Sequence, residues 1–310
     1  MLSYIRNRLA LAVPTLLVVS FITFLLGYLA PSSPVDILLG QHADPATRQR
    51  LIHAYGLDRP ALVQYGDYVW RALHGDLGRS FANENRPVAD ILLAQFPTTA
   101  LLATLALVAA FAIGVPVGLV AALKHNRALD RALMAVVLLF VSLPPFVVAP
   151  LLILCLSLYA GWLPSSGWEG PEYAVLPVLV LAARPGALLA RLMRSSTLDV
   201  MRQDFVRTAR AKGLCAGRVV RRHVVKNALL PVLTALGSQF GYLLTGSFVI
   251  ESIFGVPGIG RESIACIPRR DYPVIQGMAL LVAVIFIVVN LAVDLLYAVV
   301  DPRVRYGDRR

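Results

Sequence analysis

Reactive side chains do work only when the fold brings them together, and this chain scatters its own. His42, His53, His74, His125 and His223 fall in different segments, and none sits in a His-Glu-x-x-His spacing. Cys155, Cys215 and Cys266 are odd in number and far apart, so neither a disulfide framework nor a zinc spacing follows. There is no Gly-x-Ser-x-Gly elbow, no P-loop and no pair of aspartates within the apolar runs. Gly255, Gly258 and Gly260 imitate a nucleotide loop, but no strand precedes them and no Lys-Ser or Lys-Thr follows. The sequence therefore offers no catalytic residue, metal ligand set or cofactor site of its own. Two basic features remain: Arg184, alone in an apolar run as Arg184-Pro185-Gly186, and the polar stretch containing Arg207, Thr208, Ala209, Arg210, Ala211, Lys212 and Gly213.

The elements that must position them are membrane helices. The 310 residues are 57% hydrophobic and 15% charged, too apolar for a soluble surface, so the chain reads as an all-α polytopic membrane protein. Apolar runs predict six spans: one ending near residue 30, then about 98–123, 132–160, 174–196, 229–253 and 276–300. The first run, Leu9 to Ala30, is longer than a signal-peptide core and lacks a small-x-small cleavage site, so it is expected to be a retained span. The net charge of +11 resides in short loops between spans, which is the pattern of membrane orientation and not of nucleic-acid binding. Nineteen Lys and Arg fall on the termini and two loops of one side and nine on the other, placing both termini and the 197–228 loop in the cytoplasm.

Residues 31–97 read as a small extracytoplasmic helical segment. Asp44 and Pro45 start one helix, which Gly56 ends after Tyr55. A second runs from about Pro60 to Leu73, with Leu62, Tyr65, Val69 and Ala72 or Leu73 on one face, and stops at Gly75. A third begins at Pro87 and carries Val88, Ile91, Leu92 and Gln95.

Within the spans, Gly114-x-x-x-Gly118 reads as ordinary close packing. Ser142-Leu143-Pro144-Pro145 must break or bend its helix, which makes Ser142 and Pro144 either the lining of a translocation path or a packed kink. A membrane arginine costs several kcal/mol unless it meets water, a partner or a path. Arg184 thus either lines a central cavity and attracts an anionic group, or sits at a helix break and pairs with a carbonyl or carboxylate. The last span contains Asn290 and Asp294; Asp294 reads as a polar contact between helices near the cytoplasmic end, with a proton relay as the alternative, for which the sequence offers no second acidic partner.

The 197–228 loop is the most informative stretch. Asp204 to Lys212 favours helix, with small Ala209 and Ala211 thinning one face, and Gly213 supplies a left-handed stop. A second helix follows from about Ala216 to Ala228, so the loop forms a knob that returns to the membrane at Leu230-Pro231.

Arg207-Thr208-Ala209-Arg210-Ala211-Lys212-Gly213-Leu214, followed by His223, Asn227 and Leu229-Leu230-Pro231, resembles the coupling loop of bacterial ABC-importer permeases of the dipeptide, oligopeptide and nickel branch. Further blocks resemble the same family: Gly75-Asp76-Leu77-Gly78-Arg79-Ser80, Glu251 to Gly260, Arg270-Asp271-Tyr272-Pro273, and the tail from Asp301 to Tyr306. The chain departs from the family at Ser32-Ser33-Pro34, usually Gly-Asp-Pro, and at Cys215, often a Ser helix cap. The resemblance implies a cytoplasmic coupling helix and an outer gate at Glu251, Phe254, Pro257 and Gly258, where Glu251 is either an interfacial carboxylate or a partner of Arg261 or Arg270. It further implies a second homologous permease, two cytoplasmic subunits that bind ATP and magnesium, and an extracytoplasmic substrate-binding protein, all on an inner-membrane complex. The implied cargo is a di- or oligopeptide, with nickel chelate or glutathione as alternatives. An ion-gradient-driven transporter is the competing class, disfavoured because no inverted repeat or acidic relay is evident.

Overall fold

A computed structural model describes residues 2–29, 35, 44–54, 56–83 and 85–300. The expected turn at Ser32-Ser33-Pro34, Tyr55 at the end of the first outer helix, the side chain of Asp294 and the tail from Asp301 lie outside what is described. The chain divides into two compact units, Met1–Thr99 with Pro257–Leu291, and Ala100–Val256 with Ala292–Arg310. Among the described residues, five helices are long and apolar enough to cross a membrane, and a sixth if one bent pair forms a single span.

In the first unit, α1 (Leu2–Tyr28) packs against the second of two short helices. These helices are α2 (Pro45–Ala54), opened by Asp44 with Pro45 at its first position, and α3 (Ala61–Leu73). Tyr65 joins α3 to α1: its hydroxyl donates to the Leu17 carbonyl at 3.0 Å and lies 3.0 Å from Ser20 Oγ, while its ring meets Phe21 edge-on. The inward face of α3 is therefore Tyr65 and buried Tyr68. Of the expected face, Tyr65, Val69 and Ala72 are half-buried, whereas Leu62 and Leu73, the alternative to Ala72, are 75% and 76% exposed. The aromatic residues decide the rotation because their hydroxyls and rings find partners on α1 and the leucines have no directional partner. Gly75, at φ +82°, ends α3 in the left-handed turn that the sequence predicts.

α4 (Val88–Leu123) is one 36-residue helix, which belongs to the first unit as far as Thr99 and to the second from Ala100 on. It starts ten residues before the expected span and runs on through Pro97. Val88, Ile91 and Leu92 are all buried at its beginning. α11 (Ile259–Arg269) and α12 (Tyr272–Val300, as far as Leu291) also belong to this unit, and are numbered in chain order after those of the second unit.

The second unit contains α5 (Ala128–Ser142), α6 (Pro145–Leu152) with a π-type continuation to Tyr159, α7 (Pro171–Met201), α8 (Asp204–Ala211), α9 (Ala216–Val219) and α10 (Val225–Phe254). α9 passes into α10 through a π-type turn, Val220–Val224. The long helices α7 and α10 pack against each other, and α4 crosses α7 at Gly114 and Gly118. A Cβ on Gly114 would stand 2.4 Å from the Gly186 carbonyl oxygen, and one on Gly118 would stand 2.2 Å from that of Ala190. Small residues here let two backbones touch, the usual basis of close packing in lipid.

Candidate functional site

The polar loop becomes a braced helix. α8 carries Val206 and Ala209 on its inner face, both buried in a cluster with Val200, Val219, Val224 and Ala228. Arg207, Thr208, Arg210, Ala211, Lys212 and Gly213 are exposed. The two small residues thus separate: Ala209 is packed inside its own unit, and Ala211 faces out. The end of α8 is fixed by backbone geometry. Gly213 adopts φ +78°, its N–H donates to the Arg210 carbonyl at 2.9 Å, and the Leu214 N–H reaches the Ala209 carbonyl at 3.4 Å. These paired bonds satisfy carbonyls that the helix end leaves open, and Leu214 packs on the same apolar cluster. Cys215 then occupies the cap position of α9 without a side-chain cap bond.

Arg184 lies within α7, which does not break at Pro185. Its Nη1 donates to the Tyr242 hydroxyl at 3.0 Å, and its guanidinium carbon stands 5.2 Å from that ring's centre. The partner is a phenol from α10, neither of the groups expected at a helix break. The guanidinium is otherwise exposed, so this span offers a fixed, accessible cation.

The proline pair bends its helix sharply. Proline disfavours helical backbone at the residue before it, and here two such residues, Leu143 and Pro144, are consecutive. They adopt ψ of 126° and 141°, and α5 and α6 meet at 108°. Ser142 and Pro144 are exposed at the bend, and Ser142 Oγ donates to the Leu138 carbonyl at 2.9 Å.

Of the residues expected at an outer gate, Glu251 and Phe254 are buried and Pro257 is exposed. Glu251 accepts a hydrogen bond from Ser247 at 2.8 Å within the protein interior. The Phe254 carbonyl accepts the Gly167 N–H at 2.8 Å, Gly255 turns at φ +67°, and buried Gly258 opens α11.

Three arrangements escape sequence reading. Asp130 is buried and receives both Nε and Nη2 of Arg194 at 2.7 Å, tying the 124–131 turn to α7. Asp271 is buried and gathers the Ser80 hydroxyl with the N–H groups of Phe81 and Ala82. The first unit also holds a cavity of about 590 Å³ bordered by Tyr28, Tyr68, Arg71, Arg79 and Tyr272. Charged residues beside an apolar segment signal the first only as a salt-bridge option, and the second joins motifs that are far apart in sequence.

Apolar helices long enough to cross a membrane, a bent proline-rich helix pair and an exposed short helix braced by its own core mark a polytopic membrane protein. The chain belongs to the family described as binding-protein-dependent transport system inner membrane component, whose model matches residues 114–306, with the matching N-terminal model over residues 1–103. It is 40% identical over 306 residues to the glutathione transport system permease protein GsiC of Escherichia coli (strain K12), covering 99% of this chain and 100% of that protein. The protein of the same name from Salmonella choleraesuis (strain SC-B67) gives the same identity and coverage. The fold is similar to the inward-facing MetNI methionine ABC transporter, with a TM-score of 0.60 at 19% identity over 68% of this chain and 96% of that one. It is also similar to an amino acid ABC transporter solved with histidines, with a TM-score of 0.51 at 21% identity over 67% and 93% of the two chains. This is an ABC-importer permease, a transport component of the membrane.

Proposed function

We propose that this chain forms half of the membrane path of a short-peptide importer, and that α8 is the lever by which ATP-binding subunits move it. The observation carrying the reading is the construction of α8: five polar or small residues face outward while Val206, Ala209 and the Gly213 turn lock the helix to α7 and α10. A helix held this rigidly passes a push at its outer face to the spans behind it. In this reading two cytoplasmic subunits hold ATP and magnesium, and one grips α8. A second homologous permease closes the path, and an extracytoplasmic binding protein delivers cargo. ATP acts by binding one of two conformations more tightly than the other. Both termini lie in the cytoplasm.

Peptide cargo is supported by the relatives named for glutathione transport and by Arg184, an accessible cation suited to a carboxylate. The test is uptake into proteoliposomes holding the full complex with ATP inside, comparing labelled glutathione, a dipeptide and a nickel chelate. Uptake of either peptide that requires ATP and falls with Arg184→Gln supports the reading. Nickel uptake alone overturns the cargo, uptake unaffected by Arg184→Gln removes that residue from the path, and uptake indifferent to ATP overturns the mechanism.

A further inference from the structure

We infer that the start of the α9–α10 helical run is a binding site for one anionic phospholipid. Arg218, Arg221, Arg222 and Lys226 line a single open pocket of about 370 Å³. Their spacing of i, i+3, i+4 and i+8 places them on one face, and all four are exposed. Like charges one turn apart destabilise a helix, so this face holds an electrostatic cost that a bound anion relieves. None of the four has a carboxylate within ion-pair distance among the described residues.

What lies beyond the cations selects a lipid over other anions. The stripe through Arg222 and Lys226 continues at four- and three-residue steps to Leu230 and Leu233, which are 44% and 45% exposed. Lys226 and Leu233 are separated along the axis by about 10 Å at the helical rise. Cations followed by bare leucines, on one face of a helix suited to span a membrane, match a phosphate headgroup followed by an acyl chain. A free phosphate needs only the cations, and an acidic protein surface needs no leucines.

The ligand would bear on the coupling element, because Val219 and Val224, on the opposite side of the same turns, pack in one cluster with Val206 and Ala209 of α8.

The experiment is native mass spectrometry of the full chain in neutral detergent, titrated with dioleoyl phosphatidylglycerol or dioleoyl phosphatidylcholine. One phosphatidylglycerol should be retained in preference to phosphatidylcholine. Each cation near a headgroup is worth about five-fold in binding, so R221Q/R222Q should weaken retention about 25-fold. R127Q/R131Q should leave it unchanged, and L230N/L233N should weaken it. If R221Q/R222Q does not fold, K226Q should still weaken retention about five-fold. Equal retention by R221Q/R222Q and the unaltered chain would overturn the site. Displacement of the lipid by inorganic phosphate, with no effect of L230N/L233N, would make it a free-anion site. Unchanged lipid retention with loss of the ATP-binding subunits from the R221Q/R222Q complex would make it a protein-docking surface.

Discussion

The carboxylate of Asp271 accepts a hydrogen bond from the hydroxyl of Ser80, 191 residues earlier in the chain. The same carboxylate takes the N–H of Phe81 at 3.0 Å and that of Ala82 at 3.1 Å, and Ser80 Oγ accepts the Asn83 N–H at 2.9 Å. One buried side chain thereby folds the loop between α3 and α4 onto the turn that opens α12. Backbone donors need such a partner when water is excluded.

Asp271→Asn should unfasten that loop. The amide turns a donor toward groups that already donate, and an unsatisfied buried group costs about 1–3 kcal/mol. A lower melting temperature of the purified chain, with new proteolytic cleavage between residues 76 and 86, is expected. Unchanged melting and cleavage would show that the carboxylate is dispensable there.

Gly114→Leu should force α4 away from α7. The first added carbon already meets backbone at 2.4 Å, which no rotamer can avoid. Overpacking of this kind costs about 1–3 kcal/mol, and Gly118→Leu should behave alike. Gly66, on α3 with nothing within 4 Å of an added Cβ, is the control: Gly66→Ala should be neutral or stabilising by up to about 1 kcal/mol. Thermal unfolding in detergent distinguishes these outcomes, and a tolerated Gly114→Leu would contradict the described crossing.

The cysteines should react unequally. Cys266 is buried in α11, and burial, aided by the charges of Glu262 and Asp271, pushes its thiol up to about 12. The reactive thiolate is therefore scarce at neutral pH and accumulates only as pH nears that value. Cys215, exposed beside α8, should label with an impermeant maleimide from the cytoplasmic side alone, whereas Cys266 should label only after denaturation. Labelling of Cys215 from the outer side would invert the proposed orientation.

What was legible in the sequence is what local chemistry dictates. Gly213 follows a helical stretch and turns left-handed, consecutive prolines bend the chain after Ser142, and apolar runs mark the spans. The rotation of α3 was not legible, because Leu62 and Tyr65 are equally apolar in pattern and only Tyr65 finds Leu17 and Ser20. Nor was the Ser80–Asp271 joint, which has no periodicity and closes over 191 residues. Gly114 was legible as a packing residue, yet its partner Gly186 was obscured by its neighbours Arg184 and Pro185, which suggested a broken helix. The inward turn of Ala209 was hidden for a similar reason: on an eight-residue helix, an alanine fits either face until Val206 fixes the rotation.

The central claim is that α8, held by the Gly213 turn, transmits the work of ATP. ATP-driven uptake by the reconstituted complex should be compared between the unaltered chain, Gly213→Asn and Gly213→Val. An added Cβ at Gly213 meets nothing within 4 Å, so any effect arises from the backbone conformation and not from a clash. Left-handed backbone costs an ordinary residue about 1–2 kcal/mol, while asparagine visits it readily. The account predicts that Gly213→Asn keeps uptake and Gly213→Val loses it, through uncoupled ATP hydrolysis or loss of the ATP-binding subunits. Full uptake and normal stimulation of ATP hydrolysis by Gly213→Val would contradict it.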